Sequence, residues 1–585
     1  MNGIKLARLV LLLLGFPIAV QAQFTGTTNN GAFVITGYSG PSGTVTIPGS
    51  LKGLPVIVGD HVFDYQNSLT NLIIMNGVVG IVSNSFTGCA NLTQVIIPGS
   101  VTNIGSYAFN YCPALTNVVI SNGVANISEG AFRLASIRNI IIPGSVTNLG
   151  PSAFNGCYML TNITISNGVQ CVGSNAFFDC ERLPGIFIPG SVVNIGVDAF
   201  EACWALTNIT VDSLNSNYAS VGGVLFNKSL TTLVAYPGRG ALNYVIPADV
   251  TSVGDSAFED CMLTKVTIPD GVNSIGVHAF AGCSQLLNIS IPSSVTNIGA
   301  GALIYCFDMT NILVDPANPN YASADGVLFD KAFHTLIRSP AGNTGTYAIP
   351  ESVGSIASEA FESGGLTTVT IPNSVTNIGP SAFRYSSLAS ATIPGSAGSI
   401  GDSAFWNCNQ LTNVTVLPGL TNIDSWAFGA CYGLTTASLP ASLLTIAVFA
   451  FDQCPALTTV YFYGNAPTVV TTPNAGSTNV FLDASGTIYY LPGATGWATA
   501  FGGLPTAPWY PTILGNYSGL AGQTNHFGFT ISWATCNSVV VEACTNLFQP
   551  VWQPVQTNIL PSGTAYFSDP QSTNYPSRYY RLRSQ

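Results

Sequence analysis

Charge is what this chain has least of. Its 585 residues carry 15 Lys and Arg against 26 Asp and Glu, 7% of the total and a net charge of −11, where soluble domains hold about 25% charged residues. So few cations on a net acidic chain exclude nucleic acid as a partner. Histidine numbers four, which leaves little material for acid–base or metal chemistry. Uninterrupted apolar segments long enough to cross a bilayer, about 20 residues, are missing as well. The apolar run Leu9 to Val20 follows Lys5 and Arg8 and ends in Val20-Gln21-Ala22. That is the pattern of a secretory signal peptide cut after Ala22. The mature chain is therefore expected to be secreted or held at the cell surface, without a membrane span and without a cofactor.

What the chain has in quantity is glycine (60), proline (35) and hydrophobic residues (47%), the makings of a turn-dense β protein with ample core. A motif Ala-Phe-x-x-Cys recurs, and its phenylalanine marks seventeen positions from Phe63 to Phe451, Leu303 standing in once. The steps are 22 or 23 residues, apart from two pairs of 26 then 32 that begin at Phe200 and Leu303 and define a larger block of 103. Such a ruler means a solenoid, because one unit cannot bury its apolar side alone and stacked units can. Within a unit, Leu115, Val118 and Ile120 form the inward side of a short strand. A turn follows at Ser121-Asn122-Gly123, or at Ile-Pro-Gly-Ser in sister units, then a second extended piece, Val124 to Ile127. Ala131-Phe132 is expected to start a one-turn helical or 3₁₀ corner that drops its ring into the core.

The segments Leu92 to Cys112 and Leu366 to Phe383 show the full pattern, the second continuing to Ser386 where cysteine is usual. This pattern resembles the BspA-type leucine-rich repeat of bacterial surface proteins over roughly residues 45 to 465. The resemblance implies a curved, parallel-stranded solenoid exported to the cell surface and the role of an adhesin for host or matrix proteins and other cells. The fold class expected is mainly β: a leucine-rich-repeat solenoid plus a small C-terminal antiparallel, sandwich-like domain. The expected divisions are a signal peptide (1–22), an N-terminal cap (23–60), the repeats (61–465), a C-terminal cap and Pro-rich linker (466–513, with Pro505, Pro508 and Pro511) and a small β domain (514–585).

Eleven of the fourteen cysteines sit three residues after a marker. That slot also takes Ala135, Gly364 and Ser386, so it selects a small side chain, and buried thiols are expected rather than a disulfide or metal ladder. A local bridge between Cys536 and Cys544 is left open. Asp212, Asn215, Asn217 and Tyr218 recur one block later as Asp315, Asn318, Asn320 and Tyr321, with Asp325 added. These loops read as turns in preference to calcium sites. His61 and His278 occupy a variable corner, carboxylates look scattered, and in the tail only His526, Glu542 and Asp569 are eligible for chemistry, so no enzyme is expected. Arg578 to Arg583 reads as a closing edge strand defended by charge.

Strand alternation turns one side chain in two outward. The first outward position runs Asn71, Gln94, Asn117 and Asn139. The second runs Ile73, Ile96, Val119, Ile141 and, further on, Phe187, then becomes hydroxyl-bearing at Thr392, Thr415 and Ser438. An exposed apolar strip of this kind marks an interaction surface, although β-branched residues also suit any strand. The function expected is a monomeric recognition or adhesion scaffold for an extracellular protein. A carbohydrate-binding surface protein and a self-associating envelope component are the alternatives.

Overall fold

The computed structural model describes residues 23–471, 479–518, 527–535, 537–547, 549–575 and 577–584. The signal-peptide stretch, His526 and Cys536 lie outside the described residues. Two units are distinguished, Met1–Ala332 with Pro340–Gly342 and Phe333–Ser339 with Asn343–Gln585.

In the first unit each regular coil contributes two short strands. Gln94–Ile97, Asn117–Ile120, Asn139–Ile142 and Asn162–Ile165 pair in parallel, each asparagine or glutamine opposite its counterpart one coil on. On another side of the coil Asn103–Ile104, Asn126–Ile127 and Asn148–Leu149 form a second parallel ladder. Leu115, Val118 and Ile120 are buried as the alternation requires. The marker rings from Phe63 to Phe200 stack with centroids 5.0–6.1 Å apart and planes within 9° of parallel. That spacing follows from the backbone, since neighbouring strands lie about 4.8 Å apart and equal coils repeat every side chain at that step. In the second unit the same stack joins Phe361, Phe383, Phe405, Phe428 and Phe451 at 4.7–5.2 Å. It extends to Phe481.

The corners are not helical. The amides of Tyr107, Phe109 and Tyr111 donate to Glu129, Ala131 and Arg133 of the next coil, each at 2.8 Å. The intervening amides of Ala108 and Asn110 close turns on Gly105 and Tyr107. Tyr107 and Tyr111 adopt φ of +57° and +56°, which no helix tolerates. Every second amide is thus spent on the neighbouring coil, and none of the 3₁₀ structure at Gln23, Gly395–Ala397 and Ser572–Asn574 falls on a marker corner.

The ruler also needs correcting at two marks. Phe226 is not at a corner: it lies in Val224–Asn227, which pairs antiparallel with Tyr218–Val221. Tyr236 takes the corner instead, its amide donating 2.7 Å to Ala257 and its ring 5.0 Å from Phe258. One block later Phe329 lies in an equivalent hairpin strand, and the amide of Ser339 donates 2.8 Å to Ala360. A hairpin insert therefore lengthens one unit to 36 residues and leaves the next at 22. Its entry loop is a set of Asx turns. Asn215 is buried, its Oδ1 accepts the amides of Asn217 and Tyr218, and its Nδ2 donates to Pro189 and Val192, all at 2.8–2.9 Å. Asn318 repeats the arrangement, so these amide oxygens are committed to backbone.

The ladder cysteines are buried, and Cys89, Cys112, Cys157, Cys180, Cys203, Cys283, Cys408, Cys431 and Cys454 form no disulfide. Each of these nine thiols donates 3.0–3.4 Å to the carbonyl of a marker phenylalanine in the preceding coil. Cys306 makes the same bond to Phe280. The slot is therefore small and donor-bearing, which is why cysteine dominates it. Burial pushes the Cys157 thiol up to about 12, so it stays protonated and unreactive. Cys157→Ala is expected to cost about 1–2 kcal/mol, a lost sulfur plus an orphaned carbonyl, measured by urea denaturation. Cys157→Ser is expected to recover part of that loss.

Beyond Phe462 the parallel sheet of the second unit continues. Thr487–Tyr490 pairs with Thr459–Phe462, and Leu504–Pro508 pairs with Thr487–Tyr490. Pro505 and Pro508 thus lie in a short strand that is next to last in the sheet, paired on its other side only by the two residues Ala500–Phe501. Two three-stranded antiparallel sheets follow and share a core of Phe529, Ile531, Trp533, Val539, Val541, Leu560 and Phe567. The basic strand Tyr579–Ser584 pairs with Ser538–Cys544. Arg581 and Arg583 both bind Glu542, at 2.7 and 2.9 Å, and hold its carboxyl below the usual range. Arg578 binds Asp569 at 2.9 Å. Glu542 and Asp569 are thereby structural.

Candidate functional site

The outward column on the first unit's longer strands is where the sequence placed it. Ile73 is 45% exposed, Ile96 55%, Val119 44%, Ile141 63% and Phe187 48%, while the residues on either side of each in the strand point inward or carry polar groups. Register brings the first four side by side. Ile73 lies opposite Ile96, Ile96 opposite Val119, and the pairing of Asn117 with Asn139 sets Val119 beside Ile141. Thr164 follows Ile141, and Phe187 stands opposite Thr210 in a separate two-stranded pair. The polar column beside it is partly self-paired, since Gln94 Nε2 donates 2.8 Å to Asn71 Oδ1. Asn117 and Asn139 are exposed. In the second unit the same position carries Thr392, Thr415, Ser438, Tyr461 and Tyr489 in register.

Chemically, the first column offers branched carbon at strand spacing, flanked by amides. It has no nucleophile and no titratable group, so it can bind but not transform. His61 sits in a corner, with Nδ1 2.9 Å from Asp64 and Nε2 3.6 Å from Asp60. His278 occupies the equivalent corner, with Nδ1 3.9 Å from Glu259. Both hold left-handed backbone, φ +53°, so the variable histidine slot is a conformational position of the coil.

One grouping was invisible in the linear reading. Asp198, Glu201 and Glu259 converge so that one carboxylate oxygen from each lies within 4.8 Å of the others, at a cleft of about 200 Å³ lined also by Phe200, Tyr236 and Asp255. Glu201 directly follows Phe200 and Glu259 directly follows Phe258, so both occupy the position after a corner ring. Their convergence is not visible along the chain, because the hairpin insert lies between Glu201 and Glu259. Burial, then the charges of Glu259, Asp198, Asp260 and Asp179, raises Glu201 to about 9.

The comparison with family models agrees with this architecture. A family model for the BspA type leucine rich repeat region matches residues 43–160, 148–238, 238–323 and 342–466, in six copies. No curated protein matches the chain. Among solved structures it is similar to a leucine rich cell surface protein from Faecalibacterium prausnitzii, at 24% identity over 76% of this chain and 93% of that one, with a TM-score of 0.38. It is also similar to a leucine-rich repeat protein from Eubacterium ventriosum, at 22% identity over 81% and 95%, TM-score 0.36. A leucine-rich repeat protein from Bacteroides ovatus matches at 19% over 77% and 97%, TM-score 0.37. With its repeats covered from residue 43 to 466 but for a short gap, and its coils built as the repeat demands, the chain belongs to the BspA-type leucine-rich-repeat family.

Proposed function

We propose that this chain is an exported recognition scaffold of the cell surface that binds an extracellular protein through the strand sheet of its first unit. The observation that carries the reading is the in-register apolar column Ile73, Ile96, Val119 and Ile141, exposed on a sheet where threonine, found at the same position in later coils, would serve strand formation equally well. The amides of Asn71, Gln94, Asn117 and Asn139 would frame the contact with polar groups, as interface rims do, and Phe187 would add an apolar contact further along the sheet. The role needs no catalysis, and the column offers none.

The test is retention. A tagged chain of residues 23–585 is expected to be held by surface extracts of neighbouring cells or by matrix proteins. The double substitution Ile96→Asp, Ile141→Asp is expected to reduce retention at least tenfold, about 1.4 kcal/mol or more, with no loss of thermal stability. Equal retention of the variant would remove the column as the binding surface. A second reading, a glycan-binding face, is favoured only by the hydroxyl column Thr392, Thr415 and Ser438, and a glycan array with no response would dismiss it.

A further inference from the structure

In the first unit the stacked rings run to Phe200 and resume at Tyr236, and the acidic cleft opens between them. Three carboxylate oxygens within 4.8 Å of one another cannot all be ionised at low cost, because like charges at that distance in a half-buried setting oppose ionisation. The charged groups that act on Glu201 are Glu259, Asp198, Asp260 and Asp179, all acidic. Asp255 lines the cleft, and His278 faces Glu259 at 3.9 Å from the neighbouring corner.

The 103-residue block supplies an internal comparison. One block later Asp198 is replaced by Gly301, Glu201 by Ile304 and Ala235 by Arg338, while Glu259 keeps an acidic counterpart in Glu362. In the second unit Arg384 lies 3.7 Å from that carboxylate, and Arg338 donates to the carbonyls of Glu359 and Glu362. The later block therefore holds one carboxylate with guanidinium groups around it. The earlier block concentrates three, with the His278 ring 3.9 Å from Glu259 as a neighbour.

We propose that the Asp198–Glu201–Glu259 cluster is a proton-dependent latch: the corners that carry these side chains close around the cleft while the cluster holds a shared proton, and they loosen when it is lost. Glu201 has an ordinary value of 4.5 and is raised to about 9 here, by burial first and acidic neighbours second. Glu259 and Asp260 are raised as well, chiefly by burial. A carboxyl that binds its proton more tightly folded than unfolded contributes stability that is whole at low pH and fades as pH rises through the interval between the two values. The latch thus weakens progressively from about pH 4.5 to about 9.

Hydrogen exchange of the full chain at pH 6 and pH 9, corrected for the intrinsic rate, is the test. Peptides over 195–201 and 254–260 are expected to exchange about tenfold faster or more at pH 9, the change that one proton can drive per pH unit. Peptides over 358–364 are expected to stay constant. Glu201→Gln is expected to keep the corners protected at both pH values. Glu201→Ile, the residue of the sister block, serves equally should the amide fail to fold. Wild-type corners equally protected at pH 6 and 9 would overturn the proposal. So would Glu201→Gln corners that loosen at pH 9 as the wild type does, since the change would then not depend on the proton of Glu201.

Discussion

Phe109→Ala is expected to lower stability by about 3–5 kcal/mol, the range for emptying a fully buried aromatic site. The ring is inaccessible to solvent and lies between Phe86 at 5.1 Å and Phe132 at 5.4 Å, each within 3° of parallel. Collapse of the cavity would require its neighbours to approach each other, and the coils are held at fixed spacing by Phe86 N–H to Ala108 and Phe109 N–H to Ala131, at 2.9 and 2.8 Å. The void therefore persists, which places the cost at the upper end of the range. Leucine is the tolerated alternative, as Leu303 occupies a marker position and is buried, so Phe109→Leu is expected to cost less than about 1.5 kcal/mol.

The damage should also be local. In a repeat array each coil contacts only its neighbours, and stability is close to a sum of unit and interface terms. Exchange is expected to accelerate in peptides over 82–135 of Phe109→Ala while peptides over 400–455 keep wild-type protection. Uniform acceleration over both stretches would show that the units unfold as one and would contradict nearest-neighbour stability.

The rings and the strand alternation were legible because both repeat with the coil length, and a period of 22 or 23 residues survives any change of side chain at the variable corners. The exposed column was legible for the same reason: Ile96 and Ile141 had to face outward once Val95 and Ile140 faced in. The corner conformation was not. Tyr107, Asp198, Glu359 and Trp426 all hold positive φ, which their side chains disfavour, and the backbone bonds to the adjacent coil that impose it leave no trace in a single unit. The hairpin insert was misphased because Phe226 and Phe329 are as apolar as true markers, whereas the real corner residues are Tyr236 and Ser339. The acidic cluster was hidden because Asp198 and Glu201 are separated from Glu259 along the chain by the hairpin insert, and only stacking of the coils brings them together. The small size of the cysteine slot is legible along the chain, whereas its second requirement, a donor for the preceding coil's carbonyl, emerges only when the coils are stacked.

The two turn types supply the other large expected effect. Pro98-Gly99-Ser100 and Asn122-Gly123 belong to adjacent coils, and the alternation recurs with Gly144 against Asn167 and Gly168. A Cβ on Gly99 would overlap the carbonyl oxygen of Asn122, and one on Gly123, at φ +116°, would overlap that of Gly99. Serine completes the pairing from the other side. Ser145 Oγ accepts the amide of Gly123 at 2.9 Å and donates 2.7 Å to Val124, and Ser191 does the same for Gly168 and Val169. The repeating unit of this edge is therefore two coils, one bringing a close-approach glycine and a serine clamp, the other a left-handed glycine. Gly99→Ala must push two backbones apart next to the Ser121 N–H to Ile97 bond of 3.0 Å, and a loss of about 3 kcal/mol is expected. Gly53→Ala is the control, because Gly53 has φ +77° but open space around its Cβ, so only the left-handed strain of about 1–2 kcal/mol applies. Measured by urea denaturation on the full chain, a loss at Gly99 no greater than at Gly53 would mean that the coils slide apart freely at this edge.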